Sequence, residues 1–415
     1  MVQAKHRVIA SVGAVIGALA LFTFHVRADS RPAIFVIALE NHNWEQPVNK
    51  FTGGIQQIYQ NPAAPFINSL VDGSAVGISD QVSYATAYFH VLSTPTGAKF
   101  SIHPSEPNYL WAEAGTNFGI RNDNDPFTPQ QPVTSPPVFP NNFDTPLHLS
   151  NLLTRAGHTW KSYQEDVDVT PTGTGTANHP ATSNGGLTNV VLPQNAWTVP
   201  LVSFSGTFAA GGLNAYNQKN QYNYAAKHNP QVFFTDTNGG NDLTTVNPLS
   251  LSYAPLQQLA VDLASNTVAE YNWITPNQFN DMHTALTGGY KGLTGDPAKI
   301  KQGDDFLAQI IPAIMASDAY KNHGAIIIWF DESEGDGVAG DNADDFNHTI
   351  AEIVISPRAH DNVNGLPYAS SVFYTHSSDL RTMQEIFHVG PYLGDAVNAN
   401  DLRDLFKPGA VPKKP

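Results

Sequence analysis

Three stretches of this chain share one layout: a short apolar, β-prone run that stops abruptly at side chains suited to holding a cation or a phosphate. Ile34-Phe35-Val36-Ile37-Ala38-Leu39 ends in Glu40-Asn41-His42, and Ile326-Ile327-Ile328-Trp329-Phe330 ends in Asp331-Glu332. Between them Tyr271-Asn272-Trp273-Ile274 runs through Thr275-Pro276 to Asn280-Asp281-Met282-His283. In an open α/β sheet the ligand crevice lies outside the carboxyl ends of the strands, so polar clusters there meet in space although they are distant in sequence. The layout predicts a metal-assisted enzyme built on such a sheet.

A chain of 415 residues, 41% hydrophobic and 10% aromatic, is long and apolar enough for a large core. Its start reads as an export signal: Lys5, His6 and Arg7 are a basic lead, Val8 to Phe24 is apolar, and Val26-Arg27-Ala28 offers a small-residue cleavage site. An uncleaved anchor is the alternative, although the run falls short of a comfortable span. Residues 1–28 are therefore expected to be a leader, residues 29–410 one domain, and 411–415 a loose tail, in a protein that is secreted or periplasmic. Cysteine is absent, so an exported fold here needs no disulfide. The net charge of −15 repels nucleic acid, and an anionic substrate must be drawn in locally by a cation and histidines.

Strands are predicted at Ile34–Leu39, Trp160–Tyr163, Val232–Phe234, Val268–Ile274, Ala325–Phe330 and Ile350–Ser356. Helices are predicted at Ala64–Val71, from Thr145-Pro146 to Gly157, at Pro255–Ala264, at Asp304–Ala316 with Phe306, Ile310, Ile311 and Ile314 inward, and at Ser378–Phe387. Stretches of about 120–145 and 168–230 read as long loop insertions. Strands alternating with helices imply an α/β protein, a three-layer α/β/α sandwich around a mostly parallel sheet.

Glu40, Asp331 and Glu332 supply carboxylate oxygens and Asn41 an amide oxygen, a donor set that suits a divalent Mg, Ca or Mn, with zinc a lesser fit. The plainer alternative is that each acid caps a helix or takes a salt bridge. The acidic run from Asp331 to Asp345 lacks EF-hand spacing and reads as a solvated loop in preference to a second calcium site.

The strings Ala38-Leu39-Glu40-Asn41-His42, His103-Pro104-Ser105-Glu106-Pro107-Asn108-Tyr109, Trp160-Lys161-Ser162-Tyr163-Gln164-Glu165, Thr275-Pro276-Asn277 with Asn280-Asp281-Met282-His283, Asp331-Glu332-Ser333-Glu334-Gly335 and Tyr374-Thr375-His376-Ser377-Ser378-Asp379-Leu380-Arg381-Thr382 occur in order along the chain. Together they resemble the bacterial and fungal phosphoesterase family, which includes acid phosphatases and phosphatidylcholine-type phospholipases C. The resemblance implies an alkaline-phosphatase-like fold. It also implies a nucleophilic hydroxyl after the Gly of Trp111-Ala112-Glu113-Ala114-Gly115-Thr116, hence Thr116 and a phosphothreonine intermediate. His283 and His348 are then candidate catalytic groups, and Asn41, His103, Asn108 and His376 candidate substrate contacts. The expected substrate is a small phosphate ester, in acid-phosphatase fashion. The alternative is a phospholipase C acting on choline head groups with transient membrane contact, and a more distant one is a secreted metal- or sugar-binding protein without catalysis.

Overall fold

A computed structural model describes residues 32–47, 50–90, 102–173, 186–209, 211–239, 248–336 and 347–412. The proposed leader, the end of the tail and the glycine-rich part of the acidic run lie outside these residues. Among them no helix is long and apolar enough to cross a membrane.

Eight strands form the main sheet: β1 (Ile34–Leu39), β2 (Val82–Ala85), β3 (Trp160–Gln164), β4 (Tyr253–Pro255), β5 (Tyr271–Thr275), β6 (Ala325–Phe330), β7 (Glu352–Ile355) and β8 (Tyr368–Ser370), in the spatial order β8-β2-β7-β6-β1-β5-β3-β4. From β6 through β1, β5 and β3 to β4 every pairing is parallel. The flank is mixed, since β7 runs antiparallel to both β6 and β2 while β8 is parallel to β2. Every residue of β1, β5, β6 and β7 is buried. A strand buried on both faces needs a layer on each, which is why these runs are continuously apolar with no alternation.

The helices are α1 (Pro65–Asp72), α2 (Ser105–Ala114), α3 (Leu149–Arg155), α4 (Gln257–Ser265), α5 (Asp296–Met315) and α6 (His376–Ile386). They pack in two groups, α1 on α5 and α2 on α3 and α6. Together with the sheet this is the expected α/β/α sandwich. The Arg381–Glu385 pair on α6 forms, with Nε 3.1 Å from Oε1. Lys161 and Tyr163 on β3 both bond Asp262 of α4, at 2.8 and 2.7 Å.

Several local expectations are corrected. Val232–Phe234 is not a strand: Pro230–Phe233 forms a 3₁₀ turn packed against α2. A three-residue apolar run carries no period, and Pro230 starts a turn as readily as a strand. The run at 350–356 is two elements, because Thr349–Ile350 pairs with Asn43–Glu45 and only Glu352–Ile355 joins the main sheet. Helix α5 starts eight residues earlier than its apolar period, at Asp296-Pro297, where proline's missing N–H costs nothing. The 168–230 insertion is not wholly irregular. Val169–Pro171 pairs with Leu187–Val191 and Phe204–Thr207 with Gln221–Tyr224, around a small core of Val169, Leu187, Phe208 and Tyr222. Helix α2 was not expected at all, because two prolines within four residues read as a loop.

One buried ion cluster ties α2, α3 and the 3₁₀ region together. His148, the residue before α3, is fully buried, with Nδ1 2.9 Å from Glu113 of α2 and Nε2 2.8 Å from Asp236, and its ring stacks on Phe234. Burial opposes its charge, but the bonds to Asp236 and Glu113 win and hold its pKa up at about 9. A folded pKa raised from 6.5 gives stability that is complete below pH 6.5 and lost as pH rises through about 9. His148→Gln should therefore lower unfolding free energy at pH 6 by about 2–4 kcal/mol. In urea titrations the gap between parent and variant should narrow at pH 10; a gap independent of pH would mean the ring is neutral.

Candidate active site

The register of the parallel strands brings the acids together. Leu39 of β1 lies opposite Phe330 of β6, so the residues that follow, Glu40 and Asp331, leave the same sheet edge side by side. The Glu40 backbone N–H donates to the Asp281 carbonyl at 2.8 Å, which fixes the loop after β5 to the end of β1. Asn41 has φ 42°, a left-handed conformation that Asn tolerates. The turn aims its N–H at Asp331 Oδ1 (2.9 Å) and its Nδ2 at Glu332 Oε1 (2.8 Å) and Glu334 Oε1 (2.7 Å). All four residues expected to hold metal, Glu40, Asn41, Asp331 and Glu332, thus form one contiguous group.

The structure adds members that the sequence reading did not assign. His228, in the Lys227-His228 turn before the 3₁₀ segment, places Nε2 3.2 Å from Glu40 Oε1 and Nδ1 3.2 Å from Asp281 Oδ2. Ser105, the first residue of α2, donates its hydroxyl to Glu40 Oε2 at 3.0 Å, and Tyr109 one turn along donates to Glu40 Oε1. Asn108 donates to Glu332 Oε2 at 2.9 Å. Ser105 precedes a proline two positions into the helix and has Asn108 at i+3 on the same face. That start pattern was the signal available in the sequence.

Thr116 is elsewhere. It follows Gly115, the left-handed cap that ends α2, and its hydroxyl accepts from the Phe118 N–H at 3.2 Å. The ten residues of α2 separate it from Ser105 by about 15 Å of helix rise, so it is a turn hydroxyl at the far end. The aliphatic hydroxyl brought to the carboxylates is that of Ser105, with the Tyr109 phenol beside it.

Histidines occupy both flanks. His283 N–H bonds Asp281 Oδ1 at 2.8 Å, its ring centre is 6.0 Å from that of His228, and burial lowers its pKa to about 4. His103 Nδ1 is 2.9 Å from Glu332 Oε2, on the side where His90, His348 and His376 also influence one another. His348 is buried among this group. His376 has both ring nitrogens engaged, Nδ1 by Trp329 Nε1 at 3.0 Å and Nε2 by the Asp331 carbonyl at 2.5 Å, so it supports Asp331 instead of meeting substrate.

The electrostatics favour a cation. Burial, then repulsion by Asp331 and Asp281, raises the Glu40 pKa well above the ordinary carboxyl value. Burial followed by Glu332 does the same for Asp331, and burial together with Asp331 does so for Asp281. His228 is pushed down by burial and then by Lys227 and His283, so its ring is neutral and one nitrogen turns a lone pair toward a carboxylate. Asn41 Oδ1, Asn108 Oδ1 and Asp331 Oδ2 are buried without a hydrogen-bond donor. Unsatisfied hard oxygens, a neutral imidazole and mutually repelling acids match what a divalent ion takes. Ligand atoms of Glu40, His228 and Asp281 lie within 4.8 Å of one another, as do those of His103, Glu332 and Glu334.

Two further groups tune the approach. Lys227, half-buried and held by Asp123 at 2.9 Å, lies within electrostatic reach of Glu40 and Asp331, which help keep it charged. Glu106, next to Ser105, is raised to about 9 by burial and is therefore neutral, so it adds no negative charge at the start of α2. Metal binding can be read directly. Mn²⁺ at a hundredfold excess over its Kd should stabilise the protein by about 2.7 kcal/mol. Asp331→Asn should raise the melting point of the metal-free protein by about 2–4 °C, as relieving ~1 kcal/mol of repulsion does in a large domain, while abolishing the Mn²⁺ gain. An unchanged Mn²⁺ gain in that variant would remove Asp331 from the ligand set.

Residues 23–390 match the model of the Phosphoesterase family. A probable acid phosphatase of Kluyveromyces lactis is 24% identical over 298 residues, 71% of this chain and 52% of that protein. An acid phosphatase of Aspergillus fumigatus is 25% identical over 279 residues, 66% of this chain and 44% of that protein. The chain thus spans about half the length of these relatives. Among solved structures, an alkaline phosphatase superfamily protein from Vibrio parahaemolyticus aligns with a TM-score of 0.43 and 11% identity, covering 90% of this chain and 72% of that one. A phosphonate monoester hydrolase of Agrobacterium radiobacter gives 0.41 and 11%, covering 90% and 77%. The family model spans the acid-bearing strand ends, α2 and α6 alike, and the chain belongs to the Phosphoesterase family.

Proposed function

We propose that this protein is an exported hydrolase of phosphate monoesters that works in acid through a covalent phosphoserine at Ser105. The observation that carries the reading is the Ser105 hydroxyl, buried at the first position of a ten-residue helix and bonded to Glu40 Oε2 at 3.0 Å, at the rim of the carboxylate ring. A hydroxyl there meets an anion-attracting helix start and a cation site together.

A divalent ion held by Glu40, Asn41, Asp331 and Glu332, with Asp281 and His228 alongside, would supply Lewis acidity and charge neutralisation. Glu40 Oε2 holds the Ser105 proton and orients the oxygen for in-line attack. The Ser105 Oγ–P bond forms as the ester P–O bond breaks, and the alcohol leaves with a proton. Water then cleaves the phosphoserine by the same geometry, releasing phosphate and restoring the hydroxyl. The Lys227 ammonium supplies positive charge for the phosphate oxygens, while the Asn108 amide hydrogens stay on Glu332 and the Ile102 carbonyl. His283 takes on a proton only as pH falls toward about 4, which makes it a donor to the leaving group in acid and a neutral ring at pH 7.

Release of p-nitrophenol from p-nitrophenyl phosphate by residues 29–415 tests this. Ser105→Ala should lose about three orders of magnitude or more in kcat with its melting curve intact. Thr116→Ala should retain the parent rate within about threefold, as expected of a turn residue outside the carboxylate ring. The opposite pattern would return the nucleophile to Thr116. Cleavage of bis-p-nitrophenyl phosphate with no cleavage of the monoester would replace the monoester reading with a diesterase.

A further inference from the structure

Behind Asp331 lies a second set of buried titratable groups that the chemistry above does not use. Glu352 on β7 is wholly buried, and Asp379 in the first turn of α6 is 9% exposed. The two carboxyl groups act on each other electrostatically. A wholly buried carboxyl with no donor on either oxygen is neutral, so Glu352 keeps a proton, which the Asp379 carboxylate beside it can accept. No other donor reaches either oxygen of Glu352 or Asp379 Oδ1.

The pair is wired to the active site. Tyr88 donates its hydroxyl to Asp379 Oδ2, and the Tyr88 hydroxyl oxygen stands 2.9 Å from His376 Nδ1. Trp329, register partner of Glu352 on β6, donates to that Nδ1 at 3.0 Å, which leaves the ring proton on Nε2 for the Asp331 carbonyl. The groups facing this line are Glu352 from β7, Trp329 from β6, Tyr88 after β2, and Asp379 and His376 from α6. Further titratable neighbours are His90, in electrostatic contact with His376, and Tyr271 of β5, in electrostatic contact with Asp379.

Tyr88 has one hydroxyl hydrogen and two acceptors. With a single proton on the acid pair, the Asp379 carboxylate takes that hydrogen. With a second proton, Asp379 becomes a donor to the Tyr88 oxygen, and the Tyr88 hydrogen turns to His376 Nδ1, joining Trp329 in a three-centre bond. A donor at Nδ1 strengthens donation from Nε2, because hydrogen bonds in a chain polarise one another. We propose that Glu352, Asp379, Tyr88 and His376 form a positioning relay in which the protons held by a buried acid pair set how firmly Asp331 is seated in the carboxylate ring. Burial and then Asp379 raise Glu352 far above its usual range, and burial raises Asp379 to about 7. The second proton therefore arrives as pH falls through about 7, and the relay tightens in acid. The catalytic consequence rests on the proposed phosphatase reading, whereas the shared proton does not.

Infrared spectroscopy tests the proton without turnover. In the parent-minus-Glu352→Gln difference spectrum at pH 7, a neutral buried carboxylic acid should give a carbonyl band. The glutamine amide still donates to Asp379, so the variant should fold. Absence of that band would overturn the shared proton.

The wiring is tested by Tyr88→Phe, followed from pH 5 to 8 by Mn²⁺ affinity from thermal shift and by kcat and KM on p-nitrophenyl phosphate. At pH 5 the variant should bind Mn²⁺ and turn over about three- to tenfold less well than the parent, the effect of one hydrogen bond, with KM within about twofold. The deficit should fade toward pH 8, and Asp379→Asn, whose amide can donate to the Tyr88 oxygen as the protonated acid does, should keep the acid-state Mn²⁺ affinity up to pH 8. Equal Mn²⁺ affinity in parent and variant across the range would overturn the relay. A parent that shows the band and the Mn²⁺ effect but hydrolyses nothing would instead overturn the phosphatase reading and leave the relay standing.

Discussion

The constraint on which the rest of this structure depends is the repulsion among carboxylates buried at one edge of the sheet. Glu40, Asp281 and Asp331 are each fully enclosed, and each is pushed toward its neutral form by burial first and by the others next. Such a group is costly in a folded core unless protons or a cation neutralise it. The surroundings are arranged to hold it regardless. The Asn41 N–H bonds Asp331, Ser105 and Tyr109 bond Glu40, and the His283 N–H bonds Asp281. The stability given up at this edge leaves a concentration of negative charge of the kind a divalent ion neutralises.

Helix α2 is the second half of the design. Its first residue presents a hydroxyl to Glu40, its fourth an amide to Glu332, and its fifth a phenol to Glu40. The tight cap at its other end holds it in place: a Cβ on Gly115 would stand 2.4 Å from the Leu393 carbonyl oxygen, so that turn can pack only as glycine. Glu113 then reaches His148, whose imidazolium joins α2 to α3 and the Asp236 turn. Several of the buried groups, among them Glu106, His148 and the Glu352–Asp379 pair, favour their protonated forms, so the molecule is organised around protons it keeps at low pH.

Much of the site was legible because strand ends are legible. Glu40, Asn41, Asp331 and Glu332 each follow directly on a continuous apolar run, and parallel pairing obliges such ends to meet. What escaped was carried by segments without a period. Ser105 lies between two prolines, where a helix start looks like a loop. His228 lies in an aperiodic turn, and Asp281 was visible only as part of a string. Thr116 was chosen by likeness of sequence, and the length of α2 carries it to the wrong end. The split at Ala351 and the antiparallel course of β7 likewise left no trace in composition, because a β-prone run looks the same in either direction.

The sequence by itself determined the layered α/β architecture, the absence of disulfides and the sheet edge at which the acids would gather, since hydrophobic runs and their end points are local properties of the chain. Only the tertiary structure decided which hydroxyl faces those acids, which histidine lies between Glu40 and Asp281, and that Glu352 and Asp379 are buried together behind Asp331. These are contacts between residues tens to hundreds of positions apart. They depend on register, helix length and burial, which no local pattern encodes.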